Sequence, residues 1–304
     1  MENRFVRQNI LPLLAALIWG TAFVAQSVAA PYVPPFVFNA IRSFIAFLLL
    51  IPISRAFDAA ALRRGKTPGK TDRRALILGG FCTGAFLAVA SNLQQAGLAD
   101  TAAGKAGFIT ALYVVLVPVL GIFLKKRVSG QIWISVLVAV AGLYLLCIRA
   151  GEGFTLQTSD IYLLLCALFF ACQIMSIDHF GAKVDGVKLS CAQFLVVGVI
   201  SAVLSLLFET VDWAAVWQHI LPVLYCAVFS SCVAYTLQIL AQRDSDPTVV
   251  TLLLSLESVF SVLAGAVILH DRLSGREYLG CVLMFLAVVL AQIPLKRRKN
   301  GLQS

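Results

Sequence analysis

The chain has 304 residues, of which 60% are hydrophobic and only 13% charged, with a mean hydropathy of +0.90. A soluble domain carries roughly 25% charged and about 45–50% apolar residues, so this composition excludes an ordinary soluble globule. Apolar blocks of about 20 residues match a hydrocarbon layer of roughly 30 Å at 1.5 Å per helical residue, as in a polytopic helical membrane protein. The net charge of +9 resides in short basic segments between those blocks. Such segments report topology and contact with anionic lipid headgroups, and nucleic acid is not an expected partner.

In chain order the apolar pattern predicts ten helices, near Ile10–Ala29, Pro35–Ser54, Ala75–Leu98, Thr101–Leu124, Ser129–Ile148, Asp160–Ile177, Leu189–Phe208, Val216–Ala241, Pro247–Leu269 and Arg276–Ile293. Breakers separate several of them, "PYVPP" at 31–35, "TPGK" at 67–70 and "DSDP" at 244–247. The longest connection, Arg55 to Arg74, is basic and too polar to form a core of its own. The first apolar run, preceded by Arg4 and Arg7 and ending "SVAA", has the outline of a signal peptide. The repeat described next argues instead that it is a retained first helix. All eight cysteines lie singly in apolar blocks with no CxxC pair, which makes them packing residues rather than metal ligands or disulfide partners.

With the N-terminus inside, 19 of the 24 Lys and Arg residues fall in inner segments, four fall outside, and Arg42 lies within a helix. That bias predicts both termini in the cytoplasm of a prokaryotic inner membrane. A weak internal repeat accompanies it. "LQQAGLAD" at 93–100 resembles "LQILAQRD" at 237–244, "KKRVSGQ" at 125–131 resembles "HDRLSGR" at 270–276, and "AALIWGT" at 15–21 resembles "CALFFAC" at 166–172. The spacings are 144, 145 and 151 residues. A five-helix unit is odd in number, so its second copy enters the membrane inverted. The expected architecture is therefore all-α, ten transmembrane helices as two inverted five-helix repeats, 1–150 and 151–304, around a central cavity. Inverted repeats of this kind mark transporters, because one half can rock against the other about a central site.

Polar residues inside the apolar blocks indicate where that site lies. The first helix carries Trp19, Phe23 and Gln26 on one side. In the second, Arg42 sits roughly 10 Å from the outer end by the helical rise, placed either to snorkel to the interface or to fork onto a carboxylate or carbonyls within the bundle. The third helix places Ser91 and Gln95 on the face of Gly84 and Ala88, with Asn92 beside it. The fourth opens with Ala103, Gly104, Ala106 and Gly107, which serve close packing or gating, and continues with Thr110, Tyr113 and Pro118. In the eighth, Ser231, Tyr235, Gln238 and Gln242 recur at α-helical spacing. The ninth has Thr251, Ser255 and Ser258 along one side, and Glu257 with Ser261 along another. Any one of these is accounted for by a helix–helix hydrogen bond worth roughly 0.6 kcal/mol; together the stripes point to a water-filled cavity.

Glu257 is the sharpest feature. About ten residues past Pro247, it lies roughly 15 Å along its helix, near the bilayer midplane. A charge there costs on the order of 3 kcal/mol unless the group is protonated, paired with a cation or exposed to a cavity. The residues predicted to bind substrate or protons are Glu257, Gln238, Tyr235, Ser231, Trp19, Gln95, Ser91, Tyr113 and Arg42. No catalytic residue, metal ligand or cofactor is expected.

These segments also resemble a known family. "AALIWGTAF", "NAIRSFIAFLLL", "AGFITALYVVLVPVL" and "LLLSLESVFSVLAGAVILHDRLSG" are similar to the drug/metabolite transporter superfamily in its EamA-like branch. That resemblance spans nearly the whole chain. It implies ten helices, a cavity between two halves, no nucleotide-driven motor, and movement of amino acids, nucleotide precursors or other small metabolites, often outward. The family's Glu-Pro pair in the ninth helix falls on Glu257 and Ser258, so the proline that would distort the helix is missing. Its acidic residue closing that helix falls on Asp271, the equivalent end of the fourth helix carries Lys126 instead, and its second-helix arginine is matched by Arg42.

The expected function is a secondary transporter of small amphipathic or zwitterionic metabolites such as amino acids, with export the direction that the family resemblance implies. The alternatives are a channel, a non-transporting sensor or an intramembrane enzyme. The last is disfavoured because His179, His219 and His270 lie near helix ends and neither HExxH nor GxSxG occurs. Oligomeric state and coupling ion are not encoded in any motif.

Overall fold

The computed structural model describes residues 5–63, 65, 71–101, 103–126, 128–148, 157–243, 245–268 and 274–293. Among them are ten helices long and apolar enough to cross a membrane, and no strand. They are α1 (Val6–Ala29), α2 (Pro35–Arg63), α3 (Arg73–Asp100), α4 (in two pieces, Ala103–Ala111 and Tyr113–Phe123), α5 (Gly130–Cys147), α6 (Thr158–Phe180), α7 (Gly186–Phe208), α8 (Ile220–Gln242), α9 (Pro247–Leu254 and Glu257–Ile268) and α10 (Gly275–Gln292). Asp271, His270 and the basic run 296–299 lie outside the described residues.

The helix ends follow from the polar residues in the connections. The first N–H groups of a helix have no partner within it, and a short polar side chain just before them supplies one. Asp72, Asp185 and Asp246 do this for α3, α7 and α9, accepting from Arg74, Val187 and Thr248 at 2.9, 3.0 and 2.8 Å. Ser274 and Glu277 form a reciprocal capping box on α10. At α2 the donors of Phe36 and Val37 are taken by a carboxylate from the other half of the chain, Glu209, at 2.7 and 2.9 Å.

Three expectations about helix extent are corrected. Helix α2 runs through Pro52 to Arg63 rather than stopping at Ser54, so much of the supposed polar loop is helix. Its Asp58 pairs with Lys188 of α7 at 2.8 Å, which gives that extension a partner. The eighth helix begins at Ile220, after a separate short helix at Trp213–Gln218. Helices α4 and α9 are not continuous.

Side-by-side packing has a simple rule. Helix α3 packs along α6 and α7, α2 along α7 and α8, α1 along α8 and α9, α4 along α6, and α5 along α10. Replacing every helix by the one five places away returns the same set of pairs. Close approach at these contacts is made possible by glycine. At the α5–α10 crossing a Cβ on Gly280 would sit 2.8 Å from the Gly142 carbonyl oxygen, and one on Gly142 3.0 Å from that of Gly280.

The two broken helices are counterparts under the same rule. Their first pieces start at Ala103 and Pro247, and their second pieces at Tyr113 and Glu257, each pair 144 residues apart, the spacing of the sequence repeat. At both breaks the backbone tightens into an i to i−3 bond, Leu112 N–H to the Ile109 carbonyl and Leu256 N–H to the Leu253 carbonyl, each 3.2 Å. The distortion expected from a Glu-Pro pair is thus present without the proline.

Candidate functional site

Between the helices lies a cavity bordered by α1, α2, α3, α4, α6, α8 and α9. Helix α1 contributes Trp19, Phe23 and Gln26, and α2 contributes Arg42. The polar wall continues with Gln94 of α3, Gln173 of α6, and Ser230, Tyr235 and Gln238 of α8. Thr110 and Tyr113 come from the break in α4, and Leu254 and Glu257 from the break in α9. Phe170 and Ile174 of α6 complete the lining.

The repeat spacing organises this wall. Trp19 and Phe170, and Phe23 and Ile174, are 151 residues apart. Gln94 and Gln238, Thr110 and Leu254, and Tyr113 and Glu257 are 144 apart. Ten of the fifteen lining residues therefore fall into five equivalent pairs, which puts matched positions of the two halves around one space. The charges break the pattern, because Glu257 faces a tyrosine counterpart and Arg42 has no lining counterpart.

Glu257 is partly accessible and accepts a hydrogen bond from Tyr113 Oη at 3.1 Å. No ion pair to it occurs among the described residues. Arg42 is 2% exposed, which rules out snorkelling to the interface. Its Nη1 donates to Gln26 Oε1 at 3.1 Å, and its guanidinium lies over the Phe38 ring with 5.6 Å to the centroid. Among the described residues it forks onto no carboxylate, and its Nε has no partner. Arg42 and Glu257 thus border one cavity with opposite charge and no ion pair between them.

The remaining wall is aromatic and amide. Trp19 packs edge-on against Tyr235 with centroids 4.7 Å apart, and Tyr113 against Phe170 at 6.4 Å. A chain of amides runs from Gln193 through Gln173 to Gln238, at 3.1 and 3.4 Å. Trp19 Nε1 and Gln238 Oε1 are buried without a protein partner. A solute carrying both a donor and an acceptor could satisfy such groups, which are costly when left unpaired.

Of the nine residues predicted from sequence, Glu257, Gln238, Tyr235, Trp19, Tyr113 and Arg42 border the cavity, whereas Ser231, Gln95 and Ser91 do not. The Ser231 position is corrected by helix geometry. Residues Cys226–Ala234 form a π-helical stretch in which Tyr235 N–H bonds to the Ser230 carbonyl, five residues back. Counting back from Tyr235 at α-helical spacing lands on Ser231, but one π turn lands on Ser230.

Ser91 and Gln95 belong to a packing face. Gly84 on that face abuts Val196 of α7, the Ser91 hydroxyl bonds its own helix at Leu87 O, 2.8 Å away, and the Ser91 carbonyl accepts from Asn39 at 3.1 Å. Gln95 reaches the Gln26 carbonyl at 3.4 Å. Gln94 faces the cavity instead, and the repeat could have found it, since it aligns with Gln238 in "LQQAGLAD" and "LQILAQRD". Gln173, Phe170 and Ser230 were also missed. Phe170 aligns with Trp19, but no repeat partner marks Gln173 or Ser230.

Away from the cavity, Lys126 is ion-paired with Asp178 and Lys105 with Asp160, the latter at 2.6 Å. The lysine that breaks the family's acidic pattern at the end of α4 therefore has a partner on α6. Among the described residues no group of His, Cys, Asp and Glu is arranged to hold a metal.

Ten apolar helices surround a polar, charged cavity, and comparison with known proteins places the chain among membrane transporters. A model of the EamA-like transporter family matches residues 7–148 and again residues 157–292. The chain belongs to that family. It is 32% identical over 286 residues to an uncharacterised transporter of Archaeoglobus fulgidus, covering 92% of this chain and 84% of the relative. It is 25% identical to a protein of Escherichia coli named as a probable amino-acid metabolite efflux pump, covering 96% and 97% of the two chains. A solved crystal structure shares its fold with a TM-score of 0.75 at 21% identity, over 94% of this chain and 96% of the other.

Proposed function

We propose that this transporter is a secondary carrier of small zwitterionic or amphipathic metabolites, amino acids among them, working by alternating access and exporting its substrate. The observation that carries the proposal is Arg42 and Glu257 on one cavity without an ion pair. A solute with a carboxylate and an ammonium satisfies both charges, while one with a single charge leaves the other unsatisfied in a region of low dielectric. The amino-acid efflux relative in Escherichia coli supports the same substrate class.

Alternating access is supported by the matched halves, which we take as two inverted five-helix units meeting near residue 150. Helices α2 and α7 carry a tie at each end, Glu209 on the α2 N-terminus and Lys188 on Asp58. These are equivalent positions under exchange of the halves, as a carrier that opens one end at a time requires. The basic segments orient both termini to the cytoplasm of the cell membrane, against anionic headgroups.

The test is a thermal-shift panel on the purified protein, comparing zwitterionic amino acids with matched amines and carboxylic acids that keep only one charge. Binding to the folded state raises the melting temperature. Stabilisation by zwitterions and not by either single-charge analogue is expected. Equal stabilisation by a neutralised analogue, or none by any zwitterion, contradicts the proposal.

A further inference from the structure

Glu257 and Phe23 border a second, smaller cavity as well. Its other walls are Gly107 of α4, Cys147 of α5, and Ser258, Ser261 and Val262 of α9. The two spaces therefore meet at the carboxylate and at one aromatic ring, and among the described residues no other charged group lines the second. Its surface is mostly apolar, with the Ser258 hydroxyl on one side. That residue is 4% exposed and its Oγ has no hydrogen-bond partner in the protein.

Gly107 explains why this space exists. Sequence alone left it between a packing and a gating role, but it is not at a tight helix contact. A Cβ there would meet nothing nearer than the Phe23 ring, at 3.9 Å. By contrast, a Cβ on Gly20 would lie 2.5 Å from Phe260 Cβ, and one on Gly84 2.6 Å from Val196 Cβ. Glycine is required at those two positions by the approach of another helix. At 107 it is compatible with a larger residue, and the missing side chain is part of the cavity.

Resting on the proposed zwitterion site, we infer that this second cavity is its side-chain subsite, that it takes a short aliphatic chain carried past Phe23, and that Gly107 sets the length admitted. A substrate ammonium at Glu257 would direct its α-substituent to one side or the other of the carboxylate, and only this side offers an uncharged, mainly apolar space. Discrimination by such a pocket amounts to about 10–200-fold per methylene.

The experiment measures equilibrium binding of L-alanine and L-leucine to the purified full chain, wild type against Gly107→Ala and Gly107→Leu. The leucine-to-alanine affinity ratio should fall at least tenfold in Gly107→Leu, with Gly107→Ala between it and wild type. A ratio unchanged in folded protein overturns the inference while leaving the zwitterion site standing. If wild type binds neither amino acid, the proposed function fails and the subsite falls with it. Should Gly107→Leu not fold, alkylation of Cys147 by N-ethylmaleimide, with the other seven cysteines replaced, supplies the second readout. Slowing by leucine and not by alanine is expected, and equal or absent protection overturns the subsite.

Discussion

Tyr113 and Glu257 are 144 residues apart, each is the first residue after a break in its helix, and Tyr113 Oη donates to Glu257 Oε1 at 3.1 Å. Positions that the repeat spacing makes equivalent thus touch each other across the two halves. One hydrogen bond joins the two breaks at the cavity wall. Under the proposed function, a ligand ammonium at Glu257 would meet the same oxygen atoms and so couple binding to the contact between the broken helices.

Glu257→Gln keeps the size of the side chain and an oxygen for Tyr113 to donate to, and removes the charge. The variant should fold and melt close to wild type. Its affinity for a zwitterionic amino acid should fall roughly 10–100-fold, as expected for losing a charged hydrogen bond of about 1.5–3 kcal/mol. Binding assays on detergent-purified protein measure this directly, and unchanged affinity would make Glu257 a packing residue only.

Arg42→Lys separates two roles for the arginine. A lysine keeps the charge but has no planar fork, so it cannot hold Gln26 and present further donors to a carboxylate together. A loss of about tenfold or more in affinity is expected, because Arg42 is buried in the bundle. A neutral result in binding and melting temperature would remove it from the site.

The fold was readable because its signals are long-range averages. Ten apolar blocks, the breakers between them and the repeat spacings of 144 and 151 survive many local substitutions. The cavity wall was readable where residues were chemically out of place, as with Glu257 and Arg42 in hydrocarbon. It failed where backbone geometry decides which side chain faces in. Nothing in "CAVFSSCVA" announces a π turn, so Ser231 was chosen over Ser230. The face of Gly84, Ala88 and Ser91 looked like a cavity lining, but small residues with a hydroxyl are equally what a tight helix contact needs.

That contact includes a buried network outside the cavity. Asn39 Nδ2 donates to Asn92 Oδ1 at 2.8 Å, and Asn92 Nδ2 donates to Ser201 Oγ at 2.9 Å, tying α2, α3 and α7 together. Asn92→Ala should destabilise the protein by about 0.6–1.5 kcal/mol, because Ser201 Oγ loses its partner while Asn39 Nδ2 keeps the Pro35 and Ser91 carbonyls. Thermal melting in detergent measures it. A variant as stable as wild type would show that the network contributes nothing.

Orientation is tested independently of substrate. Single cysteines at Thr67 and Asn300, in a background without the native eight, should resist membrane-impermeant thiol reagents in intact cells and react after permeabilisation. The basic-residue bias demands this result. Labelling of either position from outside would reverse the orientation.

The most direct measurement is counterflow in proteoliposomes, with a zwitterionic amino acid identified by thermal shift loaded inside and a radiolabelled trace outside. A carrier with one site exposed alternately predicts transient accumulation of label above equilibrium, saturable in substrate and abolished in Glu257→Gln. Flux that only equilibrates, without overshoot or saturation, would contradict alternating access and point to a channel.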